Sequence, residues 1–136
     1  MAAEIFIDSG AWIGLILRDD PYYKAAAAFY PQLIRQWPVW VTTNLVIAET
    51  YTLINRTAGH LYGMRFLAKV QKLPRLIKIY SDPVMEAQAV VILRQFADQD
   101  FSYVDAVSFA VMQQREISEA FAFDHHFTTA GFTRVV

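Results

Sequence analysis

Short runs rich in β-branched and aromatic residues recur along this chain at intervals wide enough to hold a helix, and that spacing most limits what it can fold into. Ile5-Phe-Ile7, Val39-Trp-Val41, Ile77-Lys-Ile-Tyr80 and Ala120-Phe-Ala-Phe123 read as strands. The segments between them carry helix punctuation. Asp8-Ser9-Gly10 turns into a helix from about Ala11 to Leu17, and Asp20-Pro21 offers an N-cap and first-turn proline to a helix stopped by Trp37-Pro38. Thr43 or Asn44 caps a helix from about Leu45 to Asn55, and Gly59 separates it from another running from Leu61 to Leu73. Asp82-Pro83 opens a helix to about Phe96, Ser102 opens one to about Arg115, and Thr133 to Val136 offers a last strand. Strands joined through helices cannot pair as hairpins. They pair in parallel through right-handed crossovers, which predicts an α/β fold, a three-layer α/β/α sandwich with a mostly parallel central sheet of four or five strands.

The 136 residues suit a single domain over 1–136, and 55% hydrophobic with 15% aromatic residues is ample for its core. With 12 basic and 13 acidic residues the net charge is -1, so no overall positive field draws the chain to nucleic acid and any such site must be local. The absence of cysteine excludes disulfides and thiolate chemistry. The run from Met1 to Asp8 lacks the basic region of a signal peptide, and no stretch approaches the ~20 uncharged apolar residues of a membrane span. A cytoplasmic protein with no membrane association is expected.

Asp8 and Asp124 follow the first and fourth strands, and in a parallel sheet both then lie at the carboxyl ends, where open α/β sheets bind ligands. The alternative for each is a mere cap on the helix that follows. Asp105 stands three residues after Ser102, the spacing of a capping box, and is compatible with both roles: Ser102 caps while Asp105 projects from the first turn. Glu49 is different. It is the only acid between Asp20 and Asp82, it lies in the apolar helix that starts near Asn44, and its neighbours one turn either side are Leu45 and Leu53. A charge on such a face is costly unless protonated, paired or bound to a metal. If the four carboxylates converge, their repulsion calls for a divalent cation, and oxygen-only ligation suits Mg²⁺ or Mn²⁺. Phosphodiester hydrolysis by a metal-activated water follows as the leading chemistry.

Six of the 12 basic residues fall between Arg56 and Lys78, with no acid among them. Arg65, Lys69 and Lys72 are spaced as one helical stripe, which either holds a phosphate backbone or is a solvated face.

The segments Ile5-Phe-Ile-Asp-Ser9, Asn44-Leu-Val-Ile-Ala-Glu49, Asp100-Phe-Ser-Tyr-Val-Asp105 and Phe121-Ala-Phe-Asp124 resemble the PIN domain in order and spacing. The Asp124-His-His-Phe127 and Gly131-Phe132 tail is similar to that of the VapC-type toxins of toxin-antitoxin pairs and their stand-alone relatives. The resemblance implies an Mg²⁺- or Mn²⁺-dependent endoribonuclease with Asp8, Glu49, Asp105 and Asp124 as catalytic, metal-binding residues. It also implies Ser9 beside the first aspartate, an RNA substrate, a small antitoxin partner and a homodimer, while Asp100 is either a supporting acid or an ordinary loop aspartate. His125 and His126 are crevice-edge residues, able to touch RNA, or ordinary helix-surface residues. Asp124-His125-His126 also spells the tripeptide of the DHH phosphoesterases, but those need further acids and a second domain, and only ten residues follow His126. The non-enzymatic alternative is a PIN-like protein-interaction or RNA-binding module in which the acids are caps and ion pairs.

Overall fold

Ile5, Phe6 and Ile7 have no exposed surface, as a strand covered on both faces requires, in a computed structural model that describes residues 3–136. The first two residues of the N-terminal run read above for a leader lie outside that range. Along the chain come β1 (Glu4–Ile7), α1 (Ser9–Ile16), α2 (Tyr23–Gln36), β2 (Val39–Thr43), α3 (Asn44–Ala58), α4 (His60–Gln71), β3 (Leu76–Ile79), α5 (Pro83–Gln95), α6 (Tyr103–Arg115), β4 (Glu119–Phe121), α7 (His126–Thr129) and β5 (Thr133–Arg134).

The five strands form one sheet in the order β3-β2-β1-β4-β5, and every neighbouring pair is parallel. From β1 the chain steps outward to β2 and β3, then crosses back to β4 and on to β5. Right-handed crossovers therefore place α1 to α4 on one face and α5 to α7 on the other. The packing agrees. Trp12 of α1 meets Phe66 of α4 edge-on at 6.0 Å, whereas Phe127 of α7 lies 6.2 Å from Phe6 and 5.0 Å from Phe109 of α6. The direction of winding reverses at β1, so the carboxyl ends of β1 and β4 border the crevice where such sheets hold ligands.

Local chemistry accounts for the boundaries. Thr43, rather than Asn44, caps α3 by accepting from the Val46 N–H at 3.0 Å, and Gly59 ends the helix at φ 98°, where a side chain would be strained. Asn44 instead accepts from the Ser81 N–H at 2.9 Å, holding the loop after β3. Asp82 caps α5 through the Met85 N–H at 2.8 Å.

The structure corrects three boundaries. Asp20-Pro21 does not open α2: the Asp20 carboxylate accepts from the Tyr22 N–H at 3.0 Å and its carbonyl from the Tyr23 N–H at 3.0 Å, forming a turn that precedes the helix. Serine or aspartate next to proline serves turns and caps alike, and here the turn wins. β4 stops at Phe121 rather than Phe123, since β5, its partner on one side, spans only Thr133–Arg134. α4 stops at Gln71, so Lys72 stands just past the helix that carries Arg65 and Lys69.

Phe109 anchors α6 to the sheet layer: it has no exposed surface and meets Phe101 at 5.1 Å and Phe127 at 5.0 Å, both edge-on. Phe109→Ala is expected to lower the unfolding free energy by about 3–5 kcal/mol, read from the urea midpoint, because a ring-sized cavity opens there.

Candidate active site

Each of the four acids reaches the crevice from a different element. Asp8 closes β1 and stands before α1; its N–H donates to the Phe121 carbonyl at 3.1 Å, which ties the ends of β1 and β4 together. It occupies the N-cap position of α1, but its side chain makes no capping hydrogen bond, so the carboxylate is left to the crevice. Only 5% of the residue is exposed.

Glu49 lies on the second turn of α3 and is half-buried. Its Oε1 accepts from the Ser9 hydroxyl at 2.7 Å, linking α3 to the first residue of α1. Among the described residues it has no ion-pair partner, which removes the structural ion pair as its explanation.

Asp105 is the third residue of α6 and carries out both roles its spacing allowed. The Ser102 hydroxyl accepts from the Asp105 N–H at 3.0 Å, and Asp105 Oδ2 accepts from the Ser102 N–H at 3.0 Å. The capping box therefore fixes a carboxylate that is 8% exposed and faces the other acids. Asp124, three residues beyond β4, also has a local bond, accepting from the His126 N–H at 2.9 Å through Oδ1.

The electrostatics put Asp105, Glu49 and Asp124 within the field of Asp8. The Asp8 carboxyl is pushed up from 3.8 to about 7, first by burial and then by the nearby charges of Asp105, Glu49 and Asp124, against the lowering effect of the Ser9 backbone N–H. Four acidic side chains within each other's fields, with no lysine or arginine paired to them among the described residues, form a hard oxygen donor set suited to Mg²⁺ or Mn²⁺. A mixed set also exists at the rim, where Asp124, His125 and His126 bring one ligand atom each within 4.8 Å of one another.

The remaining sequence-derived residues divide. Ser9 and Ser102 contact the acids directly. Asp100 is exposed in the loop before Ser102 and makes no hydrogen bond to the cluster among the described residues. Arg65, Lys69 and Lys72 are exposed, the first with its guanidinium 5.6 Å from the Tyr62 ring centre. The His125 side chain is 75% exposed, its Nδ1 3.7 Å from Asp124 Oδ1. His126 is the residue whose importance the sequence concealed: 15% exposed, it sets Nδ1 3.1 Å from Asp105 Oδ2 and 3.3 Å from Asp124 Oδ2. Its only signal was the buried Phe127 beside it.

A parallel sheet that gathers acids from β1, α3, α6 and the loop after β4 at its switch point has the PIN domain architecture. The PIN domain family matches residues 5–132, and the chain belongs to that family. Its relatives include the 23S rRNA-specific endonuclease VapC20 of Mycobacterium tuberculosis, 35% identical over 132 residues that make up 96% of this chain and 97% of the relative. The crystal structure of that toxin, described as cleaving the sarcin-ricin loop, superposes with a TM-score of 0.87 at 32% identity, covering 95% of this chain and 96% of that one. FitAcB from Neisseria gonorrhoeae (12% identical, TM-score 0.66, 96% and 95% covered) and PAE2754 from Pyrobaculum aerophilum (19%, 0.63, 99% and 91%) share the fold.

The raised Asp8 pKa has a signed consequence. Between the unfolded value of 3.8 and about 7 the folded chain holds a proton that the unfolded chain has lost, so this group's stabilisation is complete at low pH and disappears as pH rises through 7. Without divalent cation, Asp8→Asn is expected to gain stability over the parent progressively from about pH 4 to pH 7, measured by urea unfolding. A cation at the cluster reverses the trend, because binding displaces that proton and tightens with rising pH.

Proposed function

We propose that this chain is a divalent-metal-dependent endoribonuclease, a VapC-type toxin, that hydrolyses RNA phosphodiester bonds at the cluster of Asp8, Glu49, Asp105 and Asp124. The observation that carries this reading is Glu49: an acid on an apolar helix, without a cation partner among the described residues, within the field of Asp8 and held by Ser9. Caps explain Asp105 and Asp124 as local structure, but nothing local explains Glu49. The VapC20 likeness, across nearly the full length of both chains, supports the enzymatic over the purely binding reading.

Asp8, Glu49, Asp105 and Asp124 would hold Mg²⁺ or Mn²⁺, which when bound offsets their repulsion and supplies Lewis-acid activation of water and of the phosphate. The protein's own contribution is positional. Ser9 orients Glu49, the Ser102 cap orients Asp105, and the buried strand ends keep the Asp8 carboxylate away from bulk water. The exposed Arg65, Lys69 and Lys72 supply the local positive surface that an overall charge of -1 otherwise denies an RNA ligand, with His125 at the rim. Structured ribosomal RNA is the substrate class to test first, and a small antitoxin and a second copy of the chain are the proposed protein partners. No helix among the described residues is long and apolar enough to cross a membrane, in keeping with action on RNA in the cytoplasm.

Purified chain incubated with large-subunit rRNA is expected to cut it only with divalent cation, leaving 5′-phosphate and 3′-hydroxyl ends. Cleavage that persists in chelator, or cyclic phosphate ends, sinks the metal-water chemistry. Glu49→Gln is expected to weaken Mn²⁺ binding by more than the ~10–100-fold that loss of a group supporting a ligand costs, with the melting temperature unchanged or raised. A large loss of stability with intact Mn²⁺ binding contradicts the assignment. Replacing Arg65, Lys69 and Lys72 together by alanine is expected to raise KM for RNA and flatten its salt dependence while leaving Mn²⁺ affinity unaltered.

A further inference from the structure

His126 lies against two of the four acids. Its Nδ1 lies 3.1 Å from Asp105 Oδ2 and 3.3 Å from Asp124 Oδ2, and its backbone N–H donates to Asp124 Oδ1 at 2.9 Å. Carboxylate oxygens only accept, so Nδ1 carries the hydrogen when it bonds Asp105, with Asp124 Oδ2 close beside the ring.

The consequences for the carboxylates are specific. Asp105 Oδ2 already accepts the Ser102 N–H at 3.0 Å, so with His126 it has two donors and the carboxylate plane is set. Among the described residues Asp105 Oδ1 has no hydrogen-bond partner and is left to face the crevice. Asp124 is held at Oδ1 by the His126 main chain, and its Oδ2 stays 3.3 Å from the ring nitrogen.

The ring itself is held. Its edge meets Phe101 at 5.1 Å, and its successor Phe127 is wholly buried between Phe6 and Phe109. The short α7 thus places its first residue by burying its second. A side chain present only to pack does not need its nitrogen between two acids, and one present only to bind RNA does not need to be 15% exposed.

We infer that His126 is a positioning residue, holding Asp105 through its Nδ1–H and Asp124 through its main-chain N–H, so that the free oxygens of the two acids meet a cation without rearrangement. This rests on the metal-dependent reading above. It differs from the rim reading in which His126 is itself a ligand beside Asp124 and His125, because an Nδ1 that donates its hydrogen to Asp105 cannot ligate.

The test compares the full-length parent, His126→Leu and His126→Asn, since asparagine can place an N–H near the position of Nδ1 and leucine cannot. Three properties are measured: Mn²⁺ affinity by calorimetry, the kcat and KM for RNA, and the melting temperature. In the parent, nitrogen NMR of the imidazole is recorded before and after Mg²⁺ addition. His126→Leu is expected to weaken Mn²⁺ binding by about 10–100-fold and to lower kcat with little change in KM for RNA, and His126→Asn to restore most of both. Nδ1 is expected to keep its hydrogen with Mg²⁺ bound. Wild-type-like Mn²⁺ binding by His126→Leu overturns the inference, as does failure of His126→Asn to improve on it, or loss of the Nδ1 hydrogen on Mg²⁺ binding. If His126→Leu unfolds, the His126→Asn comparison and the NMR signature decide. A parent that binds neither Mn²⁺ nor Mg²⁺ refutes the metal-dependent reading itself, whereas a parent that binds while the variants match it refutes the role of His126 alone.

Discussion

Carboxylates brought together out of water repel one another, and most of what is distinctive in this chain answers that repulsion. Asp8 bears it most, at the end of a strand with no exposed side, where burial and three neighbouring acids hold its carboxyl in the neutral form up to about pH 7. A chain selected for stability alone would not place it there. The cluster is sustained because each acid is anchored by an element stable for other reasons: β1 in the sheet, α3 and α6 by their caps, and the Asp124 loop by the buried Phe127. The destabilised site depends on a core that combines aliphatic side chains with aromatic rings around it.

Capping and the proposed metal site use the same atoms here. The bond that ends one helix correctly also fixes a carboxylate: Asp105 accepts from Ser102 as part of a capping box, and Asp124 accepts from the His126 main chain as part of a turn. Serving the backbone first leaves these acids with few rotamers, so the site is organised before any cation arrives. Ser9 extends the same arrangement across elements, since its hydroxyl reaches Glu49 on a different helix. Because the carboxylates are arranged by the protein, a cation need only neutralise them.

Much of the fold was legible in the order of residues. Crossovers longer than hairpins can use demanded parallel strands, and each strand core fell where β-branched and aromatic residues cluster. The errors came where one local signal serves two structures. Asp20-Pro21 made a turn ahead of α2, and the apolar run after Phe121 left the sheet because β5 is short. The extra acid in the loop, Asp100, matched the family spacing but stands exposed, since sequence distance to Asp105 says nothing about which way a loop residue points.

The amino-acid sequence by itself determined the parallel α/β class, the helix caps and the four acids, because these depend on local spacing and on the cost of an unpaired charge on an apolar helix face. It singled out Glu49 for that last reason. Only the tertiary structure decided that Glu49 has no cation partner among the described residues, that burial and then three neighbouring acids raise the Asp8 carboxyl, and that His126 rather than His125 is turned inward against Asp105. These properties arise from through-space fields and from the burial of Phe127, which turns one of two adjacent histidines inward. No spacing rule distinguishes two identical neighbours; the core beneath them does.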